Sequence, residues 1–219
     1  MLKYVLFDVD GTISDTSEGI LNGLMYALPR IGLPVPADQQ ELRYLIGPPL
    51  VRAFQKIYGV SEEVAQEGLR QYRSYYGPIG TSECMAYPGI PALLSELRER
   101  GLLVMTATSK VELFARAALD HLGLTDAFDF LGCADMEDKR REKEDVIAYV
   151  RAKFPDMDAS NTVMIGDRIY DVIGAEMNSI PVIHCAWGYA QPCELEGHDP
   201  DYTVQTVEEL RALLLSMIQ

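Results

Sequence analysis

The sequence lacks the features of membrane-spanning and secreted proteins. No apolar run in its 219 residues approaches the ~20 residues that a transmembrane helix needs. No signal-peptide pattern precedes the first predicted strand. The four cysteines are scattered without a CxxC pair, which favours reduced thiols over a disulfide framework. We therefore expect a cytoplasmic protein without a membrane partner.

Positive charge is also scarce, with 19 Lys and Arg against 33 Asp and Glu and a formal net charge of −14. This balance argues against nucleic acid as a partner, because that affinity rests on neutralising backbone phosphates. Small anionic molecules respond to local charge and stay compatible. His121, His184 and His198 show no metal-ligand spacing, so we interpret them as structural or surface residues.

Short apolar runs alternate with amphipathic helical patterns over most of the chain. The predicted strands lie at residues 3–7, 102–107, 128–133, 162–165 and 181–184. Strands that alternate with helices predict an α/β fold with a doubly wound parallel sheet.

A helical segment interrupts this alternation directly after the first strand. Residues 16–76 contain helical spacing and no convincing strand pattern. Asp15-x-x-Glu18 predicts a helix N-cap at its start, and Ser61 and Thr206 are typical of N-caps further along. We expect two domains: a core of residues 1–14 and 85–219, and an inserted helical domain of residues 15–84.

Three of the predicted strands end in polar or acidic side chains. These are Asp8 and Asp10, then Thr108 and Ser109, then Asp167 and Asp171. In a parallel sheet these strand ends share one edge, where ligands of open α/β folds bind. Clustered carboxylates repel each other unless a cation compensates, and oxygen ligands favour a hard ion such as Mg²⁺.

These segments resemble the four ordered motifs of the haloacid dehalogenase superfamily. The motifs are Asp8-Val9-Asp10-Gly11-Thr12, Thr108-Ser109-Lys110, Lys143, and Gly166-Asp167-Arg168-x-x-Asp171. Ile46-Gly47-Pro48-Pro49-Leu50 and Trp187-Gly188-Tyr189 are similar to the subgroup of phosphoglycolate phosphatases and 5′-nucleotidase-like enzymes. The resemblance implies a Rossmann-like core, and the helical insertion corresponds to that subgroup's cap domain.

The resemblance also implies a phosphatase that acts through two carboxylates. Asp8 would be the nucleophile that forms an aspartyl-phosphate. Asp10 would protonate the leaving group and then deprotonate the attacking water. Dehalogenases that resemble this fold carry tyrosine in place of Asp10, so dehalogenation is not expected.

Further roles follow from the same resemblance. The phosphoryl oxygens would be held by the Thr108 hydroxyl, by backbone N–H groups near Val9 and Ser109, and by Lys143. Mg²⁺ would be bound by Asp8, the Asp10 carbonyl and Asp167, with Asp171 orienting these ligands. The expected substrate is a small phosphorylated metabolite, and the chain is expected to be a monomer or homodimer.

Several alternatives stay open at this point. Lys139 competes with Lys143 for the phosphate-binding lysine, because both lie in one basic cluster. Arg52 either binds an anionic part of the substrate or lies on a solvated helix face. A phosphomutase or a pyrophosphatase of the same superfamily, or a non-catalytic binding module, competes with the phosphatase.

Overall fold

The computed structural model describes residues 1–47, 49–136, 140 and 142–218. Contacts divide the chain into two compact units, residues 1–15 with 85–219 and residues 16–84. Each unit is described by itself.

The first unit is built on a six-stranded sheet in which neighbouring strands are parallel. Its strands are β1 Tyr4–Phe7, β4 Leu103–Val111, β5 Phe130–Ala134, β6 Thr162–Gly166, β7 Val182–Cys185 and β8 Tyr202–Val204. Their order across the sheet is β5-β4-β1-β6-β7-β8. A separate antiparallel ribbon pairs β2 (Ser14–Asp15) with β3 (Met85–Ala86). This ribbon leads into and out of the inserted unit.

Helices cover both faces of the sheet. They are α4 Ile90–Glu99, α5 Glu112–His121, α6 Lys143–Lys153, α7 Ile169–Met177 and α8 Val207–Met217. In β1, Val5 and Phe7 belong to the apolar cluster with α4, α5 and α8, and Tyr4 and Leu6 belong to the cluster with α6 and α7. Successive side chains of a strand point to opposite faces, so this short apolar strand is buried on both sides.

Among the described residues of the second unit, all regular secondary structure is helical. It contains α1 Ser17–Ala27, α2 Leu50–Tyr58 and α3 Glu62–Tyr76, with 3₁₀ segments at Leu28–Ile31, Gln39–Leu45 and Gly80–Ser82. The Ser61 side chain caps α3 by accepting from the Val64 backbone N–H, as predicted. Within the described ranges, no helix of either unit is long and apolar enough to cross a membrane.

The structure confirms the predicted fold class and adds strands that the sequence pattern did not predict. β8 has three residues at the sheet edge, and the β2–β3 ribbon has two residues per strand. Segments this short carry too few residues for a period-2 pattern. The cap predicted at Asp15 is wrong, because Asp15 lies in β2 and Thr16 is the N-cap position of α1. The Asp15 carboxylate instead accepts a hydrogen bond from the Tyr189 hydroxyl at 2.7 Å.

Candidate active site

The sheet order brings three strand ends together around Asp8. β1 lies between β4 and β6, with Phe7 in register with Thr106 on one side and Ile165 on the other. The Asp8 backbone N–H donates to the Ile165 carbonyl at 2.8 Å, so pairing with β6 continues to the catalytic candidate itself. Gly11 then turns the chain at a φ of 81°, a left-handed conformation that favours glycine.

Three carboxylates meet at this edge. One ligand oxygen from each of Asp8, Asp167 and Asp171 lies within 4.8 Å of the other two, and all three residues are buried. The Thr12 hydroxyl donates to Asp167 Oδ1 at 3.3 Å, and the Tyr189 backbone N–H donates to Asp167 Oδ2 at 2.6 Å. The Asp167 carboxylate is therefore fixed from two sides by neutral donors.

Lys143, the first residue of α6, inserts between two of these carboxylates. Its Nζ lies 2.8 Å from Asp8 Oδ1 and 2.7 Å from Asp171 Oδ1, and it donates to the Ala107 carbonyl at 2.9 Å. The side chain is 3% exposed. The second oxygen of Asp171 accepts from the Arg168 backbone N–H at 3.0 Å, at the start of α7. Lys143 thus links the residue that follows β1 to the middle of β4 and the first turn of α7.

Burial and mutual repulsion shift the protonation of this cluster. Burial, together with the charges of Asp171 and Asp8, raises the pKa of Asp167 well above its usual range. Burial raises the pKa of Asp171 to about 6, although the Lys143 ammonium opposes the shift. Burial alone would lower the pKa of Lys143, but Asp171 and Asp8 raise it. The raised pKa keeps the Lys143 ammonium charged. The raised pKa values of Asp167 and Asp171 indicate that one ammonium does not balance the buried acids, so a further positive charge would stabilise them.

The donor set fits a divalent cation. The ligand atoms that Asp8, Asp167 and Asp171 offer are carboxylate oxygens, the type that Mg²⁺ prefers. When the four acids Asp8, Asp10, Asp167 and Asp171 are ionised, they outnumber the ammonium groups of Lys110 and Lys143 by two charges. A divalent ion would balance that excess and lower the raised pKa values.

Asp10 lies in a different environment from Asp8. Lys110 Nζ contacts Asp10 Oδ1 at 2.8 Å and Oδ2 at 3.0 Å. The Lys110 side chain is 5% exposed and the Asp10 side chain 22% exposed. The second carboxylate of the first motif is thus held by its own lysine and stays partly open to solvent.

Thr108 and Ser109, near the end of β4, differ in burial. Thr108 is 1% exposed, and its hydroxyl accepts from the Lys110 backbone N–H at 3.1 Å, so it can still donate its own proton. Ser109 is half-buried. The register between β4 and β5 shifts between Thr108 and Val111, which is typical of a β-bulge.

Sequence reasoning assigned no role to several residues that support the site. Lys110 was named only as part of a motif, and the register shift between Thr108 and Val111 interrupts the strand alternation that could have predicted its direction. Tyr189 was named only in the Trp187-Gly188-Tyr189 motif, and it binds Asp167 through its backbone N–H and Asp15 through its hydroxyl. His184 Nε2 lies 3.1 Å from the Asp167 carbonyl oxygen, and its pKa is lowered by burial. No local sequence signal indicates the contacts of Tyr189 or the contact of His184 with Asp167.

A buried ion pair holds the loop that carries Tyr189. Arg168 Nε donates to Glu194 Oε1 at 2.7 Å, and the Ile169 backbone N–H donates to the same oxygen at 3.1 Å. Glu194 Oε2 accepts from the Gln191 backbone N–H at 2.8 Å. Glu194 therefore ties this loop to the first turn of α7, next to Asp171.

The described contacts do not test every residue that the sequence analysis named. Arg52 is an exposed residue of α2 in the second unit. Lys139 lies outside the described residues, as does Pro48 of the Gly47-Pro48-Pro49 motif. Of the two competing lysines, Lys143 is the one that the structure records against Asp8.

Comparison with known proteins gives a consistent family assignment. Residues 5–185 match the family described as haloacid dehalogenase-like hydrolase. A protein from Pseudomonas aeruginosa named 5′-nucleotidase is 35% identical, and the alignment covers 98% of this chain and 97% of that protein. A crystal structure described as a predicted phosphatase from Clostridium acetobutylicum is 37% identical, covers 99% of both chains and has a TM-score of 0.93.

Other relatives carry different functional names. A protein from Mycobacterium bovis named tyrosine-protein kinase PtkA is 33% identical over 97% of this chain and 72% of its own length. A protein from Agrobacterium fabrum named phosphoglycolate phosphatase is 25% identical over 97% of this chain and 92% of its own length. The names of these relatives therefore do not agree on a single activity or substrate.

Proposed function

Because this chain belongs to the haloacid dehalogenase-like hydrolases, we propose that it is a Mg²⁺-dependent phosphatase of small phosphomonoesters. The observation that carries the proposal is the buried group of Asp8, Asp167 and Asp171 around Lys143. Such a group combines a nucleophile, an oxygen-ligand set and a cation that can bind phosphoryl oxygens.

In the first half-reaction, an Asp8 carboxylate oxygen attacks phosphorus and the P–O bond to the leaving group breaks. Asp10 gives its proton to the departing alkoxide, so the alcohol leaves neutral. The product on the enzyme is an aspartyl-phosphate at Asp8. Asp8 stands at the end of a fully buried strand, which limits its freedom to move away from the phosphorus.

In the second half-reaction, water attacks the phosphorus of the aspartyl-phosphate. Asp10, now ionised, takes a proton from that water, and the bond between Asp8 and phosphorus breaks to release inorganic phosphate. Asp10 is suited to this exchange because it is partly exposed, whereas Asp8 and Asp171 are enclosed.

The phosphoryl oxygens are proposed to be held by Lys143, the Thr108 hydroxyl and the Ser109 backbone N–H. Lys143 supplies a buried positive charge 2.8 Å from Asp8 Oδ1. Donors fixed before the reaction stabilise developing charge without reorganisation.

Asp8, the Asp10 carbonyl and Asp167 are proposed as the Mg²⁺ ligands, with Asp171 as an orienting residue. The contacts of Asp171 with Lys143 and the Arg168 N–H support that orienting role. When bound, the metal neutralises phosphoryl oxygens and favours in-line displacement.

Residues 16–84 are proposed as a cap that limits the substrate to small molecules. We propose a phosphorylated metabolite, such as phosphoglycolate or a mononucleotide, because relatives named for both compounds align along nearly the whole chain. A cytoplasmic location is proposed on the basis of cysteine usage, and all four cysteines, each within the described residues, carry free thiols.

A magnesium-dependent assay with p-nitrophenyl phosphate and a panel of phosphate esters tests the proposal. Wild-type protein should release phosphate, and Asp8→Asn should reduce turnover by several orders of magnitude with its circular dichroism unchanged. Excess EDTA should abolish activity, and Ca²⁺ should inhibit it. Wild-type turnover by Asp8→Asn would contradict covalent catalysis, and full activity in EDTA would contradict the metal requirement.

The same panel separates the alternatives. A phosphomutase would transfer the phosphoryl group between positions of a sugar phosphate without releasing phosphate, and a pyrophosphatase would prefer inorganic pyrophosphate to esters. A non-catalytic module would turn over none of these substrates.

A further inference from the structure

The Lys110–Asp10 ion pair contains a residue to which the proposed reaction has assigned no role. Lys110 Nζ lies within 3.0 Å of both oxygens of the Asp10 carboxylate. Contact with both oxygens directs the carboxylate group toward the ammonium and fixes its position. The lysine side chain is 5% exposed, so water competes weakly for the ammonium.

The backbone of β4 explains why Lys110 reaches Asp10. The register of β4 against β5 pairs Thr108 with Cys133 and Val111 with Ala134, so two extra residues are accommodated in β4. The Lys110 backbone N–H turns back to the Thr108 hydroxyl at 3.1 Å. Bulges at strand ends re-aim side chains, and here the re-aimed side chain is a lysine.

We propose that Lys110 is a positioning residue that holds the Asp10 carboxylate for proton transfer in both half-reactions. The inference rests on the proposed function, because it requires Asp10 to be the general acid and base. Proton transfer depends strongly on the orientation of the transferring group. Lys143 contacts Asp8 and Asp171, whereas Lys110 contacts Asp10, so the two lysines serve different steps.

Rapid-mixing kinetics with p-nitrophenyl phosphate separates this role from a general structural one. The p-nitrophenolate ion departs without needing a proton, so phosphorylation of Asp8 does not depend on a well-placed Asp10. Hydrolysis of the aspartyl-phosphate still requires the base. In Lys110→Met we expect the steady-state kcat to fall about 10²-fold. A burst of p-nitrophenolate approaching one per active site should precede the slow phase.

Several variants serve as controls. Lys110→Gln, which is neutral but can donate hydrogen bonds, should also show the burst and provides a second test if Lys110→Met folds poorly. Lys110→Arg should recover kcat to within about tenfold of wild type, because it restores the charge. Lys153→Met removes an exposed lysine of α6 and should behave as wild type. With an alkyl phosphate ester, whose leaving group needs a proton, Lys110→Met should lose the burst.

A double-mutant cycle gives the decisive result. In the Asp10→Asn background, Lys110→Met should cause no further loss of kcat, because Lys110 acts through Asp10. Wild-type kcat in Lys110→Met, a loss of kcat without a burst, or an additive loss in the double variant would each overturn the proposal. Absence of Asp8-dependent turnover in the wild-type protein would instead contradict the proposed function itself.

Discussion

The two halves of the candidate site use lysine in opposite ways. On one side, Lys143 is enclosed by Asp8, Asp171 and the Ala107 carbonyl, and Asp171 is 1% exposed. On the other side, Lys110 pairs with Asp10, whose side chain is 22% exposed. The enclosed half is suited to holding charge away from water, and the open half is suited to exchanging a proton with it.

The largest expected difference between the halves appears on removing each lysine. Lys143→Met leaves Asp8 and Asp171 buried without their cation. We expect the free energy of unfolding in metal-free buffer at pH 8 to fall by about 3–5 kcal/mol. Turnover should fall by about 10²–10³-fold through loss of a phosphoryl donor. Lys110→Met should destabilise less, because water can solvate Asp10. Urea denaturation of both variants measures this, and equal losses would contradict the division into two halves.

A substitution beside Asp167 tests whether the enclosed half binds the metal. A Cβ added at Gly188 would overlap the Asp167 side chain. Gly188→Ala should therefore displace a proposed ligand and raise the Mg²⁺ concentration for half-maximal activity by about 10–100-fold. Gly197→Ala is a control for a loop glycine that has no atom near an added Cβ, although its φ of 88° carries some strain. Unchanged Mg²⁺ dependence in Gly188→Ala would argue against Asp167 as a ligand.

Thermal unfolding over a range of pH also tests whether the enclosed half binds the metal. The folded-state pKa of Asp171 is raised to about 6, above the ~3.9 of an unfolded aspartate. Between these values the folded state binds more protons than the unfolded state, so this acid's contribution to stability is lost as pH rises through about 6. Asp167 shifts in the same direction. Mg²⁺ should offset that loss, so the rise in Tm that it produces should be larger at pH 8 than at pH 5.

We expect Mg²⁺ at 100 times its Kd at pH 8 to raise the Tm by about 5–10 °C at that pH. The same Mg²⁺ concentration should raise the Tm by less than half as much at pH 5. Asp167→Asn should reduce the gain at pH 8. A gain in Tm that does not depend on pH would show that these acids do not bind the metal.

The smallest expected effect lies outside both halves, at Arg52 in α2. Arg52→Ala should raise KM for an anionic substrate such as phosphoglycolate by about fivefold, since an exposed ion pair contributes up to ~1 kcal/mol. KM for p-nitrophenyl phosphate should change less, because its leaving group carries no additional charge. Equal changes for both substrates, or none, would remove Arg52 from the substrate site.

The sequence was sufficient to predict the α/β fold class because its signal is local and repeated. Apolar strand runs, Gly and Pro boundaries and helical spacing are each read within a few residues. The same local reading failed at β8 and at the Asp15 cap. Three residues are too few for a strand pattern, and Asp15 has a Tyr189 partner 174 residues away that no local rule includes.

The amino-acid sequence is enough to identify the chemical groups at the strand ends, including Asp8, Asp10 and Asp167. Their types and order can be read from the chain, because they lie just beyond apolar runs. Their partners, in contrast, follow from the tertiary structure. β1 lies between β4 and β6, so Lys143 reaches both Asp8 and Asp171, and a bulge in β4 turns Lys110 to Asp10. The order of the strands depends on packing over the whole sheet, and a pattern read within a few residues does not encode it.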